Sequence, residues 1–147
     1  MAEVLLAEVG PDMSAFPTHQ HLASWAGMCP GNEESAGKRR RKRMTPGNRR
    51  LKATLVQAGW SATHTRNSYL ASQYRRLAGR RGKKRALVAV GHSILVIFYH
   101  MMRQAASYSD LGGDFFERLE PNRLKRYYVK RLERLGYTVA LESTATA

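Results

Sequence analysis

The chain contains one cysteine, Cys29, so no intramolecular disulfide is available to staple a small scaffold. Acids are scarce: eleven Asp and Glu stand against 25 Lys and Arg, for a formal net charge of +14. Residues 1–34 hold five acids (Glu3, Glu8, Asp12, Glu33 and Glu34) and no Lys or Arg, whereas residues 35–109 hold no acid at all. The opening MAEVLLAEVGPD places no positive charge before its short apolar stretch. That excludes a secretory signal and makes a reducing, cytoplasmic setting the expectation. Long apolar runs are also few. The strongest, ALVAVGHSILVIFYHMM over 86–102, is at the short end of a membrane span and includes Gly91, His92, Ser93 and His100. A buried central helix is the simpler expectation, with no membrane partner.

With 43 % hydrophobic residues in 147, the chain can bury a core, which excludes disorder throughout. Eighteen Lys and Arg fall within residues 35–109 with no acid between them. Such a segment repels itself unless a polyanion relieves the charge, so a nucleic-acid phosphate backbone is the expected partner.

Periodicity predicts a mainly α fold: one helical domain with a long basic loop at about 28–48 and a short extended C-terminal segment. Residues 2–9 read as a helix stopped by Gly10 and Pro11. A second helix starts after Phe16-Pro17-Thr18, with Thr18 as its cap and Leu22, Trp25 and Ala26 on one face, and Gly27 ends it. Leu51, Leu55, Ala58 and Ala62 mark a third, while Leu70, Tyr74 and Leu77 mark a fourth that Gly79 would stop. RRGKKR (80–85) reads as a basic turn before the apolar helix. After DLGGDFFERLE, read as a turn and a short helical turn, Pro121 opens a last helix with Leu124, Tyr128, Leu132 and Leu135 on one side. Gly136 ends it, and Tyr137, Val139 and Leu141 alternate as a strand without a partner. The expected core is Leu51, Leu55, Leu70, Leu77, Leu95 and Phe98.

Few residues carry a metal signature. His19, His21 and Cys29 lack zinc spacing, and His92 and His100 read as core histidines. Asp110, Asp114 and Glu117 are spaced to face one Mg²⁺ or, alternatively, to favour a helix N-terminus. Among hydroxyls, Ser35 in NEESAGKRRRKR stands where acids stop and bases begin. Six following cations would offset charge developing on an attacked phosphodiester, but no carboxylate lies between Ser35 and Asp110 to serve as base or metal ligand. On spacing alone, a loop serine without chemistry is the other reading. The phosphate-binding candidates are Lys38, Arg39, Arg40, Arg41, Lys42, Arg43, Asn48, Arg49, Arg50, Lys52, Arg80, Arg81, Lys83, Lys84 and Arg85.

Leu5-Leu6-Ala7-Glu8-Val9-Gly10, Phe16-Pro17, Leu22-Ala23-Ser24-Trp25-Ala26-Gly27, Ser35-Ala36-Gly37 and Gly47-Asn48-Arg49-Arg50-Leu51 occur in order. In this the chain resembles the C-terminal transposase domain of the insertion-sequence 110/116/902 family, and the later YLASQYRRLAGRRGKKR and RLERLGYTVALE stretches are similar too. The resemblance implies a DNA recombinase whose S-x-G serine, Ser35 here, forms a covalent link to a DNA end. It also implies an element-encoded guide RNA, a homo-oligomer, and Mg²⁺ held by an N-terminal ribonuclease-H-like domain of the RuvC type. This chain departs from that pattern: Met28-Cys29 and Thr45-Pro46 replace commoner pairs, and the carboxylate domain is not in it. The expectation is therefore a helix-hairpin-helix remnant at 1–10, a transposase C-terminal domain at 11–107 and a C-terminal helix and tail at 108–147. Such a fragment is expected to bind nucleic acid yet be inactive alone. The alternative is a non-enzymatic basic module that binds DNA or RNA.

Overall fold

The computed structural model describes residues 2–29 and 46–142, together with the backbone of 33–35 and 38–40. The protein is mainly α. It divides into two compact units, Met1–Gly113 and Asp114–Ala147.

In the first unit, α1 (Ala2–Val9) ends at Gly10, whose φ of +84° suits the residue that terminates a helix. A 3-10 turn, Met13–Ala15, leads to α2 (His19–Trp25). Thr18 stands at the N-cap, but its hydroxyl meets His21 Nδ1 at 2.8 Å and makes no cap bond to the backbone, which corrects the expected cap. The C-terminus closes as a Schellman turn: Met28 N–H donates to Ala23 O, Gly27 N–H to Ser24 O, and Gly27 sits at φ +68°. Trp25 is 43 % exposed, its ring against Phe16 at 5.5 Å, so it is not a member of the buried face.

Helix α3 (Arg49–Thr63) is capped by Asn48, whose Oδ1 accepts from Leu51 N–H at 3.0 Å. Helix α4 (Tyr69–Arg81) is capped by Ser68 in the same way and runs through Gly79. Only Gly82, at φ +86°, separates it from α5 (Lys83–Gln104). RRGKKR is therefore a helix–helix corner, because Lys and Arg are good helix formers and only the glycine breaks the run. α5 is the centre of this unit: α2, α3 and α4 all pack on it. By length and composition it could cross a membrane, yet Ala86, Val90, Gly91, Leu95 and Tyr99 are buried against the other helices.

The core joins Leu5, Met13, Leu22, Ala23, Ala26, Met28, Leu51, Leu55, Leu95 and Tyr99, with Phe98 partly buried against it. Leu70 and Leu77, expected in the core, are only half-buried. α3 and α5 cross at glycines: a Cβ on Gly91 would lie 3.0 Å from Leu55 O, and one on Gly59 would lie 3.1 Å from Leu87 O. The pairing of 55 with 91 and 59 with 87 makes the two helices antiparallel. α5 ends with Ala105 in the left-handed region (φ 50°, ψ 34°), where Ala106 N–H donates to Met101 O at 3.1 Å. Ala105→Gly is expected to raise stability by about 1 kcal/mol, or about 3 °C in Tm, by relieving the Cβ strain at that cap. A calorimetric scan checks it.

Within the expected loop, β1 (Glu33–Ser35) pairs antiparallel with β2 (Lys38–Arg40). The register is Glu33↔Arg40, Glu34↔Arg39 and Ser35↔Lys38. The second unit holds α6 (Phe115–Leu119) and α7 (Pro121–Glu133), which pack on each other. Pro121 occupies the first turn of α7, and Gly136 follows it at φ +89°. Residues 137–142 have no regular structure, so the alternation at Tyr137, Val139 and Leu141 does not make a strand; among the described residues no second strand pairs with it.

Candidate nucleic-acid interface

The hairpin brings the point where acids give way to bases to a chain reversal. Ser35 is the last residue of β1 and its backbone pairs with that of Lys38, the first residue of β2. The side chains of Ser35, Lys38, Arg39 and Arg40, and all of Arg41, Lys42 and Arg43, lie outside the described residues.

The flanks of this segment are fixed by two glycines. A Cβ on Gly47 would lie 2.5 Å from Ala26 C and 2.6 Å from Gly27 Cα, so Gly47 lies against the Schellman turn of α2. The neighbouring Asn48 is a hub of the fold: while Oδ1 caps α3, Nδ2 donates to Glu8 Oε2 at 2.6 Å. Glu8 Oε1 also meets Arg50 at 3.6 Å, with the Arg50 side chain 77 % exposed. Arg49 and Arg50 thus present guanidinium groups to solvent while Asn48 holds α1, α3 and the glycine contact together. Lys52 is half-buried, one turn further on.

Arg80, Arg81, Lys83, Lys84 and Arg85 are all exposed at the α4–α5 corner. Among the described residues no ion pair engages any of the five. Three of them occupy the first turn of α5, which has no acid. The partial positive charge of a helix N-terminus adds to theirs, an arrangement that a bound phosphate relieves. Because α3 and α5 are antiparallel, this corner lies beside the end of α3, while Arg49 and Arg50 lie at its start. The 15 residues of α3 place the two clusters about 20 Å apart along its axis. The fold therefore gathers each cluster locally and does not merge them.

The candidate metal ligands diverge. His21 bonds Thr18, Cys29 is half-buried against the core, and His19 lies by Tyr99 and His100. Among the described residues no three His, Cys, Asp or Glu side chains converge on a possible metal position. His19, His92 and His100 do line one cavity of about 500 Å³; burial first, then repulsion from His19, lowers the His92 pKa. Asp110 ties down a helix start: it accepts from Tyr69 N–H at 3.0 Å, Gly112 N–H at 2.7 Å and Tyr108 Oη at 2.8 Å. Burial alone would raise its pKa, but those bonds outweigh it and hold the carboxyl below 3.8. Tyr108, partly buried beside it, is pushed up to about 12. Asp114, in the other unit, pairs with Arg118 at 3.1 Å.

A folded-state pKa below the unfolded one means that the Asp110 contribution is full above the ordinary carboxylate range. It is lost as pH falls through the folded value. Asp110→Asn is accordingly expected to lower Tm at pH 7 and to close the gap to the parent protein as pH drops below 3.8. Thermal melts at several pH values check this.

Sequence reasoning passed over one cationic surface. Arg123, Arg126, Lys130 and Arg134 recur on one side of α7 at i, i+3, i+7 and i+11, a period that was legible beside the apolar stripe.

The architecture is that of a mainly α protein with solvent-facing basic clusters at the start of α3, at the α4–α5 corner and along α7, and a short hairpin where acids give way to bases. Residues 1–75 match the Transposase IS116/IS110/IS902 family, and the chain belongs to that family. Its role is accordingly in DNA transposition and recombination, with DNA as partner. No curated protein and no solved structure matches the chain.

Proposed function

We propose that this chain binds DNA through the basic hairpin, the start of α3 and the α4–α5 corner, and that Ser35 is its nucleophile. In this reading the Ser35 hydroxyl oxygen bonds to phosphorus as one P–O bond of the strand breaks. The serine proton is lost to a base, and the departing oxygen takes up a proton, leaving a phosphoserine link. The family match supports it, because the match spans the Ser35-Ala36-Gly37 motif and the hairpin. The clusters at the two ends of α3 suit about six base pairs of one backbone.

The described acids do not fit a magnesium site, since Asp110 is committed to the α4 start and none converge. No step is therefore assigned to a metal held by this chain. In this proposal Mg²⁺ is held by a family carboxylate domain, a guide RNA and a homo-oligomer come with the family enzyme, and the setting is cytoplasmic.

The test combines labelled DNA, this chain and a family carboxylate domain, read on a denaturing gel. A covalent protein–DNA adduct is expected for the parent and none for Ser35→Ala. An adduct that survives Ser35→Ala removes the assigned nucleophile. Salt-dependent binding with no adduct from either protein supports the non-enzymatic basic module instead. Replacing Arg80, Arg81, Lys83, Lys84 and Arg85 by glutamine is expected to flatten the slope of log K against log salt by about 4.

A further inference from the structure

Helix α7 carries cations and an aromatic ring around one concavity. Tyr127, Lys130, Arg131 and Arg134 line an open concavity of about 310 Å³ on its surface. The Tyr127 ring is 54 % exposed, and Arg131 Nη1 donates to its hydroxyl at 2.8 Å. No acid lines the concavity. Glu120, at the N-cap, is engaged by Arg123 at 2.8 Å, and among the described residues no ion pair involves Lys130, Arg131 or Arg134. Three uncompensated cations beside an accessible π-face form a site for a group that is anionic at one end and flat at the other.

We infer that this concavity binds one nucleotide unit of a single-stranded nucleic acid. The phosphate is held by Lys130, Arg131 and Arg134 while the base stacks on Tyr127. A single strand fits better than a duplex, because a base inside a duplex is covered on both faces and cannot meet the tyrosine ring. The site belongs to the second compact unit, and its residues lie beyond those matched to the family. Leu132 of α7 falls away from Tyr127, Lys130 and Arg134 around the helix, where an anionic lipid surface would sit instead.

The full chain is titrated with fluorescein-labelled oligo-dT, oligo-rU and a mixed-sequence duplex, and separately with phosphatidylglycerol vesicles. Tyr127→Ala is expected to weaken single-strand binding at least fivefold, and Tyr127→Phe to restore it. Replacing Lys130, Arg131 and Arg134 by glutamine is expected to reduce the single-strand salt slope by about 2. Duplex binding should stay unchanged in all three variants. Circular dichroism verifies their folding. Preference between oligo-dT and oligo-rU identifies DNA or RNA as the strand. Loss of single-strand and duplex binding alike in the glutamine variant, with Tyr127→Ala silent, overturns the site as a nucleotide pocket. So does vesicle binding abolished by Leu132→Ser with oligonucleotide binding intact in every α7 variant. If duplex binding fails in the parent while the single-strand effects hold, the interface of α3 and α5 falls and this site stands.

Discussion

Tyr99→Ala is expected to cost about 3–5 kcal/mol, a large share of the roughly 5–15 kcal/mol that holds a domain folded. Tyr99 is 2 % exposed and belongs to the core that α1, α2, α3 and α5 share. Its hydroxyl reaches Phe16 O and Pro17 O, each at 3.0 Å, across more than eighty residues of sequence. Arg103, one turn later, donates to Pro17 O at 2.7 Å and to the Tyr99 hydroxyl. The Phe16-Pro17 turn therefore serves as the dock for the end of α5, and the start of α2 is fixed through it. Truncation removes both the ring from the core and the bond across it. Tyr99→Phe separates the two: it keeps the ring and is expected to cost only about 1–2 kcal/mol. Urea unfolding of the three proteins reads the difference. A loss under 1 kcal/mol for Tyr99→Ala would mean that α5 does not depend on this dock.

The parts of the fold that were legible in sequence are those decided locally. Gly10, Gly27 and Gly136 ended helices as expected because each takes a positive φ. Leu51, Leu55 and Leu95 were found in the core because a 3.6-residue period is written into the chain. Gly79 and Gly82 show the limit. Both are glycines among basic residues, yet Gly79 stays helical and Gly82 makes the corner. Only the packing of α4 against α5 distinguishes them. The hairpin was hidden for a related reason: its strands are three residues long, too short for an alternation to register. The signal that could have found it is the charge order Glu33-Glu34 then Arg39-Arg40, which the antiparallel register sets opposite one another. Asn48 stands among the phosphate-contact candidates, yet its side chain caps α3 and bonds Glu8. Its partner Glu8 is forty residues away, and no local pattern reveals that bond.

Gly47→Ala is expected to destabilise the protein by about 3 kcal/mol, the upper end of what overpacking costs. A Cβ there would fall 2.5 Å from Ala26 C and 2.6 Å from Gly27 Cα, and closer still to Gly27 N. All three are backbone atoms, so no side-chain rotation can make room. Gly27 is itself held by the Schellman turn and a φ of +68°, and Asn48 by its bonds to Leu51 N–H and Glu8. The strain must then be relieved by separating Gly47 from Gly27, which pulls apart the two ends of the basic segment. DNA affinity should fall along with stability, and by more than in Leu51→Ala, which empties the core without touching this contact. Gly79→Ala is the matched control, because a Cβ there, in the last turn of α4, meets nothing within 4 Å. It is expected to gain about 0.5–1 kcal/mol. Chemical unfolding together with DNA titration of the three variants makes the comparison. Equal affinity loss for Gly47→Ala and Leu51→Ala would show that the contact serves folding alone; a larger loss for Gly47→Ala ties the glycine pair to presentation of the basic segment.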